Sequence, residues 1–201
     1  MKKILSIVLS LLLLGASAAA ANAAQATHTV APGDSLWKIA VRYQVGVSEL
    51  IGANPQIKNP DLIYPGDVVK IPERNAAVDA YEKEVVRLVN EQRAAYGLRP
   101  LTENWELSRV ARYKSQDMLE RRYFSHTSPT YGNPFEMMTA FGLSYRTAGE
   151  NIAYGYRTPQ AVVDGWMNSS GHRANILNAS FTQIGVGYVQ NGHYWTQMFI
   201  G

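Results

Sequence analysis

Gln183 to Ile200 reads QIGVGYVQNGHYWTQMFI, and its two halves decide the fold class. In the first half Ile184, Val186 and Tyr188 alternate with Gly185 and Gly187, which is the period of two of a β-strand. Asn191-Gly192 marks a hairpin turn. From His193 to Ile200 the chain returns as an almost unbroken apolar strand. A strand that is apolar on both faces belongs in a central sheet covered on two sides.

The coverings lie upstream. Val78 to Tyr96 carries Tyr81, Val85, Leu88, Val89 and Gln92 along one helical face, and Gly97 is a suitable stop. Trp105 to Arg122 predicts a second helix, with Leu107, Val110, Ala111, Lys114 and Met118 in register. Pro134 to Phe141 and the stretch from Thr158-Pro159 to about Ser169 predict two more, each with proline in its first turn. Helices followed by a hairpin give an α+β class.

The first residues predict a different fate. Lys2 and Lys3 precede an apolar run, Ile4 to Leu14, too short to cross a bilayer comfortably, and Ala21-Asn22-Ala23 offers a small-residue cleavage site. Residues 1–26 are therefore expected to be a cleaved signal peptide, leaving no stable membrane span. The formal charge of +3 includes those two lysines, so about +1 remains afterwards. That balance argues against nucleic acid as a partner. The chain has no cysteine, which removes thiol nucleophiles, thiolate metal ligands and lipid attachment, and an exported domain with a full-sized core can fold without disulfides.

Residues 27–73 read as a tiny two-layer module. His28 to Val30 predicts a strand, Pro32-Gly33 a turn, and Asp34 or Ser35 a helix cap. Leu36, Ile39, Ala40 and Tyr43 follow at helical spacing, Gly46 breaks that helix, and Val47 to Ala53 predicts another. Asn59 to Asp67 is a loop leading to a second strand, Val68 to Ile71. The polar, small-residue stretch at 74–78 reads as a linker to residues 79–201.

In that second unit, four side chains carry the chemistry. His126 lies in F-S-H-T-S-P, Glu136 in N-P-F-E-M-M, Glu150 in G-E-N-I-A and His172 in S-S-G-H-R-A-N-I-L-N. Imidazoles and carboxylates bind divalent metals or move protons near neutral pH, and turn residues beside each suggest a polar cleft built from distant segments. Taken singly, each has a structural reading: a histidine beside Ser-Pro capping a turn, a glutamate before asparagine holding a loop.

Two resemblances bear on these phrases. V-A-P-G-D-S-L-W-K-I-A (Val30 to Ala40), together with N-P-D-L-I-Y-P-G-D (Asn59 to Asp67), resembles a LysM domain with βααβ order. The four His and Glu phrases resemble, in order, those of the CAP superfamily (cysteine-rich secretory, antigen 5 and pathogenesis-related-1 proteins) in its cysteine-free bacterial branch. The LysM resemblance implies binding of N-acetylglucosamine polymers, namely peptidoglycan or chitin. The implied groove lies between Gly33, Asp34, Ser35 and Leu36 on one side and Asp61, Leu62, Ile63 and Tyr64 on the other. The CAP resemblance implies a three-layer α-β-α sandwich, with His126 and His172 facing each other across a cleft and Glu136 and Glu150 as acidic partners. Such a pair of imidazoles implies a site for Zn²⁺ or another divalent cation at His126 and His172.

Three functions are compatible with these residues. One is a binding or regulatory protein of the cell envelope, with a wall polymer, lipid, envelope protein or wall-lytic enzyme as partner. The second is a metal-dependent hydrolase of peptidoglycan or peptides, with Glu150 as general base. The third is a serine hydrolase using Ser125 or Ser128, neither of which sits in a nucleophile elbow. Signal peptide, LysM and CAP in one chain resemble an arrangement of Gram-positive spore formers, which implies a secreted protein of the cell wall or spore envelope.

Overall fold

The computed structural model describes residues 25–201; residues 1–24 of the expected signal peptide, with its cleavage site, lie outside the described residues, and Ala26, its last residue, accepts from the Ile71 amide at 2.8 Å as part of the N-terminal unit. The N-terminal unit is a two-stranded antiparallel sheet, β1 (Thr27–Thr29) with β2 (Val68–Lys70), covered by α1 (Leu36–Tyr43) and α2 (Val47–Gly52). Ser35 caps α1 by accepting from the Lys38 amide at 3.3 Å. The apolar positions read at helical spacing, Leu36, Ile39 and Ala40, are the ones buried, and with Leu50, Val69 and Ile71 they form a separate small core. So small a core needs help. Part of it comes from buried Asn54, whose amide donates to Leu50 O and Lys70 O and whose oxygen accepts from the Lys70 amide, tying α2 to β2.

The second unit begins earlier than the sequence pattern suggests. Asn75 caps α3 (Ala76–Ala95) by accepting from the amides of Ala77 and Val78, so the helix absorbs most of the stretch read as a linker. Then follow β3 (Thr102–Glu103), α4 (Trp105–Arg121), α5 (Pro134–Ala140), β4 (Ala148–Tyr154), α6 (Pro159–Met167), α7 (Ser170–Ile176), β5 (Gln183–Val189) and β6 (Tyr194–Ile200). The sheet order is β3-β5-β6-β4, antiparallel except where β3 pairs with β5. The hairpin strand β6 is thus internal, as its two apolar faces require. Ile184, Val186, Trp195 and Phe199 pack against α3, α6 and α7 on one face; Met198 and Ile200 pack against α4 and α5 on the other. The result is an α+β, three-layer α-β-α arrangement.

Glycine alternation in β5 determines how closely the layers approach. A Cβ at Gly185 would lie 2.3 Å from the Leu107 carbonyl carbon, and one at Gly187 would lie 2.1 Å from the Arg112 nitrogen. The backbone of α4 therefore rests directly on the strand. At that distance the Ser108 hydroxyl accepts from the Val186 amide at 3.2 Å, and the Ser115 hydroxyl donates to Gly187 O at 3.0 Å. Glu82 of α3, buried and paired with Arg112 of α4, accepts from the Tyr188 amide at 3.0 Å. Ser108 and Glu82 thus satisfy the Val186 and Tyr188 amides beyond the short reach of β3, where β5 would otherwise be an open edge.

The two units touch through Glu49 and Arg109, which form a two-pronged ion pair at 2.8 and 2.9 Å, with Arg109 also over the rings of Tyr113 and Phe141. Burial pushes the Glu49 carboxyl up, but hydrogen bonds from Arg109 and Ser48 outweigh that and hold it at about 2.

Two outcomes follow from these contacts. Gly187→Ala should lower unfolding stability by about 2–3 kcal/mol through overpacking, read from urea melts, whereas Gly171→Ala, whose added Cβ meets nothing within 4 Å, should not; equal effects would mean that α4 does not rest on β5. The contribution of the Glu49–Arg109 pair to domain docking should be complete above the ordinary carboxyl pKa of 4.5 and lost as pH falls through about 2. Small-angle scattering across that range should show the two units separating, and Arg109→Ala should show the same separation at neutral pH.

Candidate functional site

The cleft is assembled from both helical layers at β4, the edge strand. On one side, α4 ends in a left-handed Arg122 (φ 56°) and the chain turns back along the helix. Asp117 of α4 accepts hydrogen bonds at 2.6 Å from Tyr123, Ser128 and Thr130. Burial raises the Asp117 carboxyl, and these hydrogen bonds with the nearby Lys114 charge bring it below the ordinary range. Lys114, buried in the same helix, donates to His126 O at 2.8 Å and to the Tyr123 hydroxyl at 3.1 Å. The loop that carries His126 is therefore held at its backbone. Burial in turn pushes the Lys114 ammonium below its usual value, an effect opposed by the Glu150 and Asp117 charges.

Glu150 sits in β4 opposite Met198. Its side chain is 2% exposed, and Oε1 accepts from His126 Nδ1 at 2.7 Å. That bond places the proton on Nδ1, since a carboxylate can only accept, and it directs Nε2 of the 54%-exposed imidazole outward. Oε2 of Glu150 is buried and has no hydrogen-bond partner among the described residues.

His172 comes from the other layer, in the first turn of α7. Its carbonyl accepts from Asn151 Nδ2 at 3.1 Å. Asn175, one turn on, donates to Glu150 O at 3.1 Å and to Asn151 Oδ1 at 2.9 Å, and Asn151 also donates to buried Gln197 of β6. This carboxamide network fixes α7 against the sheet. The His172 ring is half-buried, and its pKa lies below the usual histidine value through burial first and repulsion from His126 second.

Glu136 makes its hydrogen bonds at its own helix terminus. It is the third residue of α5 and accepts from the Asn133 amide at 2.8 Å, while Asn133 accepts from the Glu136 amide, a reciprocal capping box. Among the described residues no hydrogen bond joins it to His126, Glu150 or His172. Ser128 is buried with its hydroxyl committed to Asp117 and to the amides of Thr130 and Tyr131, and the Ser125 hydroxyl accepts from the Thr127 amide.

The cleft's donor set for a metal is two imidazoles. A catalytic zinc keeps three protein ligands, and among the described residues no cluster of three or more His, Asp or Glu side chains is arranged to hold an ion. Two imidazoles fall one ligand short of that set.

In the N-terminal unit the two expected glycan segments differ in character. Asp34 accepts from the Ala31 amide and from His28, Ser35 serves as a cap, Leu36 is core, and Gly33 takes a turn at φ 85°. Leu62 and Tyr64 are 51% and 59% exposed, Asp61 is exposed, and Ile63 packs partly on the core. Leu62 and Tyr64 line a groove of about 360 Å³ with Gln56, Lys58, Asn59 and Val68. Those last four were not singled out from sequence. Lys114, Asn175 and Gln197 were also missed as site-supporting residues, although a lysine inside an apolar helical stripe is itself a signal.

The cleft generates a titration outcome. His172 should titrate below the usual histidine range by NMR, and His126→Ala should raise its pKa by removing the repulsion. A histidine with a lowered native pKa withholds a proton that the unfolded chain accepts. Its contribution is therefore complete above about pH 6.5, the unfolded value, and is lost as pH falls from there through the native pKa.

Comparison with known proteins agrees with this architecture. The model of the cysteine-rich secretory protein family, CAP, matches residues 86–199, and the LysM domain model matches residues 28–72. The chain is 61% identical over 126 residues to the Bacillus subtilis protein YkwD, covering 63% of this chain and 49% of that protein. It is 51% identical over 51 residues to SpoIVD-associated factor A of the same organism, covering 25% of this chain and 13% of that protein. A crystal structure of an extracellular protein containing an SCP domain from Bacillus anthracis superposes with a TM-score of 0.60 at 33% identity, covering 68% of this chain and 47% of that one. The chain thus spans about half or less of the length of these relatives. With a family match over more than half its length, on a sandwich whose edge strand binds the His126 ring through Glu150 and the His172 backbone through Asn151, this chain belongs to the CAP family and carries a LysM domain before its CAP domain.

Proposed function

We propose that this protein is a secreted component of the cell envelope, held on peptidoglycan or a related N-acetylglucosamine polymer by its LysM domain. In this reading the CAP domain presents the His126–Glu150–His172 cleft as a recognition surface for a wall component or an envelope protein, a wall-lytic enzyme among them. The observation that carries it is the division of labour within the cleft. Glu150 is spent orienting His126, which leaves Nε2 of that ring and the half-buried His172 as the groups free to meet a ligand. Two imidazoles of this kind offer a donor or an acceptor to amides and hydroxyls without presenting a fixed charge.

The LysM part rests on Leu62 and Tyr64, exposed beside the polar side chains of Gln56 and Asn59. Apolar faces flanked by a few polar groups suit acetylated sugars. A divalent cation enters the proposal only as an optional occupant between the imidazoles, and would supply a Lewis acid there. No step depends on it. The likeness to SpoIVD-associated factor A supports a spore-envelope setting for the same role.

A His–Glu dyad can also draw a proton from water, so turnover must be measured beside binding. Leu62→Ala with Tyr64→Ala should reduce co-sedimentation with purified peptidoglycan by about tenfold or more; unchanged sedimentation would remove LysM as the anchor. Mass spectrometry of the supernatant should show no new wall fragments. Fragments that vanish in Glu150→Gln would replace the recognition reading by a hydrolase.

A further inference from the structure

Alongside the cleft, and sharing His172 with it, runs an open groove of about 600 Å³ lined by Phe124, Tyr154, Tyr156, Trp166 and Ser169. Its aromatic rings are unusually exposed for their size. Phe124 is 45% exposed, Tyr154 58% and Tyr156 38%, although rings of this size are ordinarily driven inward. They are nonetheless held in place. Tyr154 closes β4 and stands opposite Tyr194, which opens β6, with ring centroids 6.0 Å apart and planes 26° from parallel. Phe124 meets Tyr154 edge-on at 4.8 Å. The Tyr156 carbonyl accepts from the Trp195 indole at 2.7 Å, and the Tyr156 hydroxyl lies where a side chain on Gly165 would have been. A ledge fixed in this way loses little entropy on meeting a ligand.

The polar groups in the groove narrow the choice of ligand. Ser169 occupies the cap position of α7, yet its side chain makes no capping bond, so the hydroxyl is available. The His172 ring faces the same space. No Asp, Glu, Lys or Arg lines it. An anionic polymer would find no fixed cation here, and an acyl chain would bury the hydroxyl and imidazole without partners, at a cost. A pyranose ring matches both sets of groups. Its C–H face packs on an aromatic plane while its hydroxyl and acetamido edges take the hydrogen bonds.

We propose that this groove is a saccharide subsite for sugar rings of an uncharged N-acetylglucosamine-containing strand, stacked on Tyr154 and Phe124 and hydrogen-bonded at Ser169 and His172. The inference rests on the reading of the LysM domain as a glycan anchor, since that domain brings the same class of polymer to the same molecule. Once a strand is bound there, other segments of it reach the CAP groove at raised effective concentration. The cleft then sits beside a glycan rather than beside free solvent.

The test is an amide NMR titration of the intact two-domain protein with chitohexaose, the linear hexamer of N-acetylglucosamine. Shifts at Gly155, Tyr156 and Ser169 together with shifts at Leu62 and Tyr64 are expected. In Tyr154→Ala, and independently in Phe124→Leu, which keeps bulk and removes the ring, the CAP shifts should disappear at the same sugar concentrations while the LysM shifts persist. Tyr154→Phe should retain both sets. Shifts confined to the LysM domain would overturn the saccharide subsite and leave the anchor standing. An absence of shifts in either domain would overturn both. CAP shifts on adding lysophosphatidylcholine micelles, with none on adding chitohexaose, would reassign the groove to lipid and overturn the proposal.

Discussion

Everything in the CAP domain depends on the contact between α4 and β5, where a helix lies on a strand with no side chains between them. The alternation of Gly185 and Gly187 with Ile184 and Val186 makes the two faces of β5 unequal: one face carries bulk into the α3–α6 core, and the other is bare backbone. On the bare face, serine hydroxyls of α4 can reach strand amides and carbonyls directly. The same approach sets the height of Lys114 and Asp117 above the sheet, and these two residues hold the loop that delivers His126. Packing at one side of the molecule thereby determines where an imidazole stands at the other.

Much of this was legible in the residues. Hydrophobic periodicity located α3 and α4, and first-turn prolines α5 and α6, to within a few residues, and the doubly apolar run after Asn191-Gly192 was enough to place β6 inside the sheet. Elements of weaker intrinsic preference were harder to read. Strand β4 begins Ala-Gly-Glu-Asn, which has the composition of a turn, and it becomes a strand because β6 offers it a full antiparallel register. Helix α7 is seven residues with Gly171 near its start, too short to declare itself by period, and it is held by Asn151 and Asn175 rather than by propensity. The four chemical side chains were recognisable from their phrases; geometry adds that Glu150 is bound to His126 and that Glu136 accepts from an amide at its own helix terminus.

The N-terminal unit shows how far a minimal core can be extended by polar fastening. Asn54 substitutes for missing apolar contacts inside it, and the Glu49–Arg109 pair fastens it to its larger neighbour from outside. Asp34, Ser35 and Leu36 are engaged by the fold itself, whereas Leu62 and Tyr64 stand exposed beside polar side chains.

Glu150 and Asn151 are neighbours in the chain, yet they point to opposite layers: the carboxylate to the α4 side, the carboxamide to α7. The cleft thus reads β4 in a fixed frame. A one-residue slip of β4 against β6 would put Gly149 or Asn151 in the place of Glu150 beside His126 and loosen α7 in the same stroke.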